Sequence, residues 1–247
     1  MPDASGDTRR HVKAPPLVLL HGAGCDHHVF DALVSRLGGF DCIALDLPGR
    51  GEAPTNPART ASEAADFVAT ALSERGIARA VLLGHSYGGA VALELALAHP
   101  AKVAGLVLVA TGARLRVHEA ILAAMEEAAK AGPTSLVQLP WLPTTDAALR
   151  EPIEQHLARV PSTTTVADWQ AANAFDRMAR VGEISCPALI LGGTSDDLTP
   201  PKYARWLADN LPAARLVLVE GAGHMLPIEH AREASEHIAS FVADLPG

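Results

Sequence analysis

The chain has 247 residues, 49% hydrophobic but only 4% aromatic, with a formal net charge of −8 at pH 7. That length allows one large α/β domain or two small ones, with a core mostly of Ala, Leu and Val, and the acidic balance without any basic run argues against a nucleic-acid surface. The polar stretch Met1–Arg10 does not read as a signal peptide, no apolar run approaches the roughly 18 residues of a membrane span, and the scattered Cys25, Cys42 and Cys186 fit reduced thiols, so a cytoplasmic protein off the membrane is expected.

Residues 1 to 14 read as a loose arm, with a short edge strand around His11-Val12-Lys13. Pro16-Leu17-Val18-Leu19-Leu20 is a continuous apolar run, the signature of a strand buried on both faces. It ends in His21-Gly22-Ala23-Gly24, and a helix is expected from His27 to Leu37 with Asp26 as its N-cap. Cys42-Ile43-Ala44-Leu45 forms a second run, leading into Asp46-Leu47-Pro48-Gly49-Arg50-Gly51. Thr60-Ala61-Ser62-Glu63 has capping-box spacing and opens an amphipathic helix to Arg75. Then come an apolar strand ending at Leu83, a glycine-punctuated turn, a helix to His99 and a buried strand over Val103–Val109.

From Gly112 to Ile184 the strand pattern stops. Helical stretches (His118–Ala131, Thr145–Arg159, Val166–Met178) alternate with joints at Pro133, Pro140, Pro143 and Pro161. A segment of that length is not a plain loop, and it reads as an inserted helical cap over residues 112–184. The core comprises residues 1–111 and 185–247. Its second part resumes with a strand at Pro187–Leu191, a helix from Lys202 to Leu211, a strand at Arg215–Val219 and a last helix from Arg232 to Ala243. Alternating strand and helix predicts an α/β fold, a mostly parallel sheet with helices on both faces.

Gly84-His85-Ser86-Tyr87-Gly88 fits the G-x-S-x-G pattern between an apolar strand and an Ala/Leu-rich helix. That context lifts a serine Oγ clear of the sheet on a sharp turn with strained backbone. Glycines and serines are common, so the pattern alone would also describe an ordinary βα turn. A serine nucleophile needs a base, a group to orient the base, and donors for the oxyanion. On a parallel sheet these come from loops at the carboxyl ends of strands. The last strand's loop holds His224, between Gly223 and Met225. The preceding strand's loop holds Asp196 and Asp197, either of which could instead cap the helix near Pro200-Pro201. The Ala110-Thr111-Gly112-Ala113 loop has no carboxylate. Backbone N–H groups of Tyr87 and Ala23 are the expected oxyanion donors.

These motifs together resemble the α/β-hydrolase superfamily. The matching pieces are His21-Gly22-Ala23-Gly24, Asp46–Gly51, Gly84–Gly89, Asp196-Asp197-Leu198-Thr199-Pro200 and Gly221–Met225. The chain is most similar to small capped serine esterases and lactonases, the group of the 3-oxoadipate enol-lactonases. The resemblance implies the α/β-hydrolase fold, the order Ser, Asp, His, and Asp196 rather than Asp197 as the acid, since the family's acid loop reads Asp-x-x-Thr/Val-Pro. It implies Ser86, Asp196 and His224 as a triad acting on a small-molecule ester or lactone, with no cofactor. Serine at the tip of the turn separates the chain from the aspartate-nucleophile relatives.

Two other functions fit the scaffold: C–C bond hydrolysis of the meta-cleavage type, and non-catalytic ligand reception. The first needs a cation for a second carboxylate, for which Arg114, Arg116, Arg150, Arg159, Arg177 and Arg180 are available. Cys25, Trp141 and Trp169 are candidate pocket residues, although cap aromatics more commonly form the cap's own core. Cys25-Asp26-His27-His28 has four metal-ligand types in a row, but adjacent side chains diverge and no partner cluster stands at ligand spacing, so no metal is expected. His85 is expected to pack under the turn. A monomer or homodimer, without nucleic-acid or membrane partners, completes the expectation.

Overall fold

The computed structural model describes residues 15–53, 56–130 and 147–245. Its strands are β1 (Leu17–Leu20), β2 (Cys42–Leu45), β3 (Ala80–His85), β4 (Val103–Val109), β5 (Ala188–Gly193) and β6 (Ala214–Val219). They form one sheet in the order β2-β1-β3-β4-β5-β6, and every neighbouring pair is parallel. The apolar runs are buried from end to end in β1, β3, β4 and β5, as strands covered on both faces require.

The helices are α1 (Asp31–Val34), α2 (Ala61–Glu74), α3 (Tyr87–Ala98), α4 (Glu119–Lys130), α5 (Ala147–Leu157), α6 (Ser162–Ala174), α7 (Pro201–Asn210), α8 (Leu226–Glu229) and α9 (Ala231–Ala243). Side chains alternate across each strand. Val18, Leu20, Leu82, Leu106, Leu108 and Ile190 therefore face one apolar cluster with α2, α3 and α7. Leu17, Leu19, Val81, Leu83, Val107 and Leu191 face the other, with Leu33 of α1 and Ile238 and Phe241 of α9. Helix α3 is buried on all sides from Tyr87 to Ala96, which its nearly unbroken run of small and apolar residues permits.

Two helix starts form for the expected reason. Thr60 Oγ1 accepts the Glu63 N–H at 3.1 Å. The Glu63 carboxylate reaches back one residue further than a reciprocal box, accepting the Arg59 N–H at 2.7 Å. Asp26 caps the His28 N–H at 3.1 Å. The helix expected from His27 to Leu37 is instead a 3₁₀ turn, His27–Phe30, followed by the single-turn α1. Helix α6 begins and ends earlier than the expected stretch Val166–Met178, stopping at Ala174 as the backbone turns extended at Phe175. The sequence pattern also missed α8, a single turn after His224. The edge strand expected near Val12 lies outside the described residues.

Strands β1 and β2 succeed one another toward one edge, whereas β3 returns to the other side of β1. The order therefore reverses between β1 and β3, and loops leaving their carboxyl ends open a crevice there. Between β4 and β5 the chain leaves the sheet to form α4, α5 and α6. Helix α6 packs on α3 and α4, and α5 packs on the 3₁₀ turn. Among the described residues no helix is long and apolar enough to cross a membrane.

Candidate active site

Ser86 sits at the switch-point crevice, between β3 and α3, with φ 52° and ψ −118°. A non-glycine residue at positive φ is strained by about 1–3 kcal/mol, and surrounding structure must hold it there. The Ser86 N–H donates to the Val109 carbonyl at 2.9 Å, and the Ser86 carbonyl accepts from Thr111 Oγ1 at 2.7 Å and from the Gly89 N–H at 2.9 Å. Glycine makes the turn possible for a specific steric reason. A Cβ on Gly84 would collide with the Gly88 backbone, and one on Gly88 with the Leu20 carbonyl. Strand β3, helix α3 and strand β1 thus touch backbone to backbone.

The loops after β5 and β6 are laced together. The Thr194 N–H donates to the Val219 carbonyl at 3.0 Å, the Ser195 N–H to the Ala222 carbonyl at 2.9 Å, and the Gly221 N–H to Thr194 Oγ1 at 2.8 Å. This lacing sets Asp196 beside His224. His224 Nδ1 lies 2.9 Å from Asp196 Oδ2 and 3.1 Å from Oδ1, and His224 Nε2 lies 2.9 Å from Ser86 Oγ. With the proton on Nδ1 donated to Asp196, Nε2 is left to accept from the serine hydroxyl.

Asp196 caps no helix. Its Oδ1 accepts the N–H groups of Leu198 at 2.9 Å and Thr199 at 2.8 Å, and its Oδ2 accepts Thr199 Oγ1–H at 2.7 Å. Burial opposes its charge. The attraction and hydrogen bond of His224, with the two bonds from Thr199, outweigh it and hold the carboxyl below the usual carboxylate range. Asp197 turns away to the cavity mouth.

Two neighbours make contacts that the sequence did not reveal. Thr199 belongs to the Asp-x-x-Thr/Val-Pro motif, yet its hydroxyl role emerges only from its contact with Asp196. His85, fully buried, donates from Nε2 to the His224 backbone carbonyl at 2.9 Å. Burial first, and the nearby His224 second, push the His85 pKa down to about 3, so the ring is neutral. It packs under the turn as expected and also anchors the loop that carries His224.

A cavity of about 230 Å³ opens over Ser86 and His224. Leu115, Val117, Ile121, Trp169, Leu198 and Tyr203 form its apolar wall, and Arg116, His118 and Asp197 are polar groups on its lining. A smaller recess of about 20 Å³ continues below, lined by Cys25, Leu157, Trp169 and Met225 beside Ser86. Cys25 and Trp169 therefore both border the site, while Trp141 lies outside the described residues. Burial pushes the Cys25 thiol up to about 12, so it stays protonated and apolar. Ala23 lines both spaces, facing Ser86 from the β1 loop. The Tyr87 side chain lines neither; it is buried in the core, with a hydroxyl that has no hydrogen-bond partner among the described residues.

Of the six arginines considered for a second carboxylate, only Arg116 lines the cavity with Ser86. Arg177 is drawn to Glu94 at 2.6 Å and Arg180 to Glu183 at 2.8 Å. Looser pairs occupy Arg114 with Asp176, Arg150 with Glu154 and Arg159 with Asp26, at 3.8, 3.7 and 4.0 Å. The row of potential metal ligands is dispersed: His27 Nδ1 meets Asp46 at 2.9 Å and His28 Nδ1 meets Asp31 at 3.1 Å. No group of three potential ligands occurs among the described residues.

Residues 17–236 match the family described as Alpha/beta hydrolase family. The chain is 35% identical over 239 residues to a pimeloyl-(acyl-carrier protein) methyl ester esterase of Neisseria meningitidis, covering 91% of this chain and 75% of that one. Among solved structures it is similar to the enol-lactonase from Burkholderia xenovorans, with TM-score 0.86, 27% identity and coverage of 95% and 94% of the two chains. A thermophilic esterase from Thermogutta terrifontis superposes with TM-score 0.83 at 27% identity, covering 94% and 90%.

Proposed function

The chain belongs to the alpha/beta hydrolase family, and from that premise we propose that it is a serine hydrolase of small carboxylic esters or lactones, working through an acyl-enzyme. The observation that carries the reading is the line from Ser86 Oγ through the His224 ring to Asp196 Oδ2, with both hydrogen bonds, at Nε2 and at Nδ1, 2.9 Å long. A serine hydroxyl is a weak nucleophile, and a base within hydrogen-bond reach, oriented by a buried carboxylate, is what activates it.

In this mechanism Ser86 Oγ attacks the carbonyl carbon as His224 Nε2 takes its proton. Asp196 holds the imidazole in the required tautomer and stabilises the imidazolium. The backbone N–H groups of Tyr87 and Ala23 receive the oxyanion. Collapse breaks the bond to the alcohol oxygen, which leaves with the proton from Nε2. Water then gives a proton to His224 Nε2 and attacks the acyl carbon; the bond to Ser86 Oγ breaks, Oγ takes the proton back from Nε2, and the acid is released, a lactone leaving as a hydroxy acid. The helices between β4 and β5 act as the cap, placing Trp169 and Ile121 over the acyl group.

The apolar wall favours an ester or lactone with an apolar acyl part, and the names of relatives, a methyl ester esterase and an enol-lactonase, support the same bond classes. A cavity of about 230 Å³ is below the roughly 300–1,000 Å³ of sites for drug-sized ligands, which favours a small group at Ser86. Arg116 supports a second reading, C–C bond hydrolysis of a substrate whose distal carboxylate it would receive. An assay of p-nitrophenyl esters of graded chain length, a lactone and a ring-cleavage dienoate separates the two: turnover of the dienoate alone would overturn the ester reading. Ser86→Ala should abolish ester turnover and fluorophosphonate labelling together, and turnover retained in that variant would refute the mechanism.

A further inference from the structure

A buried ion pair ties α6 to the loop that carries Ala23. Arg50 and Asp168 are 4% and 2% exposed. Arg50 Nη1 donates to Asp168 Oδ2 at 2.7 Å and Nη2 to Oδ1 at 2.8 Å, the parallel two-bond geometry of a guanidinium fork on a carboxylate. Neither group stops there. Asp168 Oδ2 also accepts the Gly24 N–H at 2.9 Å, and Arg50 Nη1 also donates to the Cys25 carbonyl at 2.8 Å. The loop is thus gripped at two consecutive residues, one through its N–H and the other through its C=O.

The same helix presses on this region elsewhere. Thr164 Oγ1 donates to the Gly49 carbonyl at 2.9 Å. Gly24, at φ +70°, lies so close to Thr165 that a Cβ there would stand 2.9 Å from its methyl group. On the upstream side, the Leu47 N–H donates to His21 Nε2 at 3.0 Å, fixing the other end of the His21–Cys25 turn. Ala23 is the residue between these anchors.

We infer that Asp168 is a positioning residue for the oxyanion donor of Ala23: by accepting the Gly24 N–H and holding Arg50 on the Cys25 carbonyl, it sets the direction of the adjacent Ala23 N–H. Helix α6 then builds the site as well as walling its pocket. A donor for a developing oxyanion works only when preorganised, because reorganising it during the reaction consumes the stabilisation it supplies. The inference rests on the reading of Ser86 as nucleophile.

Removing one charge of a buried pair leaves the other uncompensated, so the test uses two double variants that are both neutral at the pair. D168N/R50M keeps an oxygen acceptor for the Gly24 N–H; D168L/R50M does not. Active sites are titrated with a fluorophosphonate, and rates are expressed per titrated site. For D168L/R50M, kcat is expected to fall by about 10- to 100-fold with KM within about threefold of wild type. The Ki of a trifluoromethyl ketone, which mimics the tetrahedral adduct, should weaken in parallel with kcat/KM. D168N/R50M should recover most of both losses. Equal kcat per titrated site in the two variants, with unchanged ketone affinity, overturns the inference. If neither variant folds, hydrogen exchange on the wild-type enzyme decides: the Gly24 amide should exchange as slowly as the amides of α6, and exchange at the rate of an open loop overturns it. A wild-type-like D168L/R50M beside an inert Ser86→Ala would refute this inference alone, whereas an active Ser86→Ala would refute the reading beneath it.

Discussion

His85 and Asp196 both have lowered pKa values, and the two shifts act in different pH windows. The folded value of His85 is about 3, against about 6.5 for an unfolded histidine. Its contribution to stability is therefore fully present above about pH 6.5 and is lost as pH falls toward 3, because the unfolded chain binds the proton first. His21, also fully buried and also held well below the ordinary value by burial and the nearby Arg50, acts in the same direction. The contribution of Asp196 is present above about pH 3.9 and fades only below that. Between about pH 6.5 and 4 the buried histidines therefore lower stability as pH falls, while Asp168, held above the ordinary carboxylate range chiefly by burial, acts in the opposite direction. Thermal melts should show Tm falling across this range, and His85→Gln, which keeps an N–H for the His224 carbonyl but cannot titrate, should make the fall shallower without abolishing it. An undiminished slope in that variant would rule out the assignment. At Ser86 the removal of the hydroxyl should lower kcat by about 10⁴- to 10⁶-fold, since members of such a triad act as a unit.

The junction of β3, α3 and β1 is where elements depend most on one residue type. Gly88 faces the Leu20 carbonyl with no room for a methyl group, and its neighbours there are backbone atoms that cannot rotate aside. Gly88→Ala should destabilise the protein by more than about 3 kcal/mol or prevent folding, the range of overpacking in a rigid site. Gly38 has nothing within 4 Å of the same added atom and no positive φ. Gly38→Ala should change stability by less than about 0.5 kcal/mol. Urea denaturation of both variants checks the contrast, and a mild Gly88→Ala would show that α3 can slide away from β1. This junction could be anticipated from Gly-x-Ser-x-Gly because the motif is local. The split of the expected His27–Leu37 helix could not, because its surroundings include contacts with distant residues, such as the His27 N–H and ring bonding Asp46, that leave no local pattern.

Across the whole molecule, the cavity is shared between two parts of the chain. The core supplies Ala23, Ser86 and His224, and α4 and α6 supply Ile121 and Trp169. On the proposed acyl-enzyme mechanism, the helices between β4 and β5 are where acyl selectivity is expected to reside. Trp169→Leu should shift the preferred ester toward longer acyl chains, read as the chain-length optimum of kcat/KM over a p-nitrophenyl ester series; an unmoved optimum would mean the acyl group lies elsewhere. Arg116 and His118 are exposed residues of the cavity lining.

By itself, the sequence determined the strand sequence, the strained turn, and a serine and a histidine to bring together with one of two adjacent aspartates, since each signal lies in a few contiguous residues; the choice of Asp196 over Asp197 came from the family resemblance. Burial on both faces demands continuous apolar runs, a sharp turn demands glycines, and loops at strand ends are the only places from which the three side chains can converge. Only the tertiary structure decided what supports them. Asp168 stands 144 residues from Gly24, and His85 holds a carbonyl 139 residues away. No local pattern marks either, because a buried hydrogen bond between distant segments depends on the packing of the whole fold and leaves no spacing in the chain.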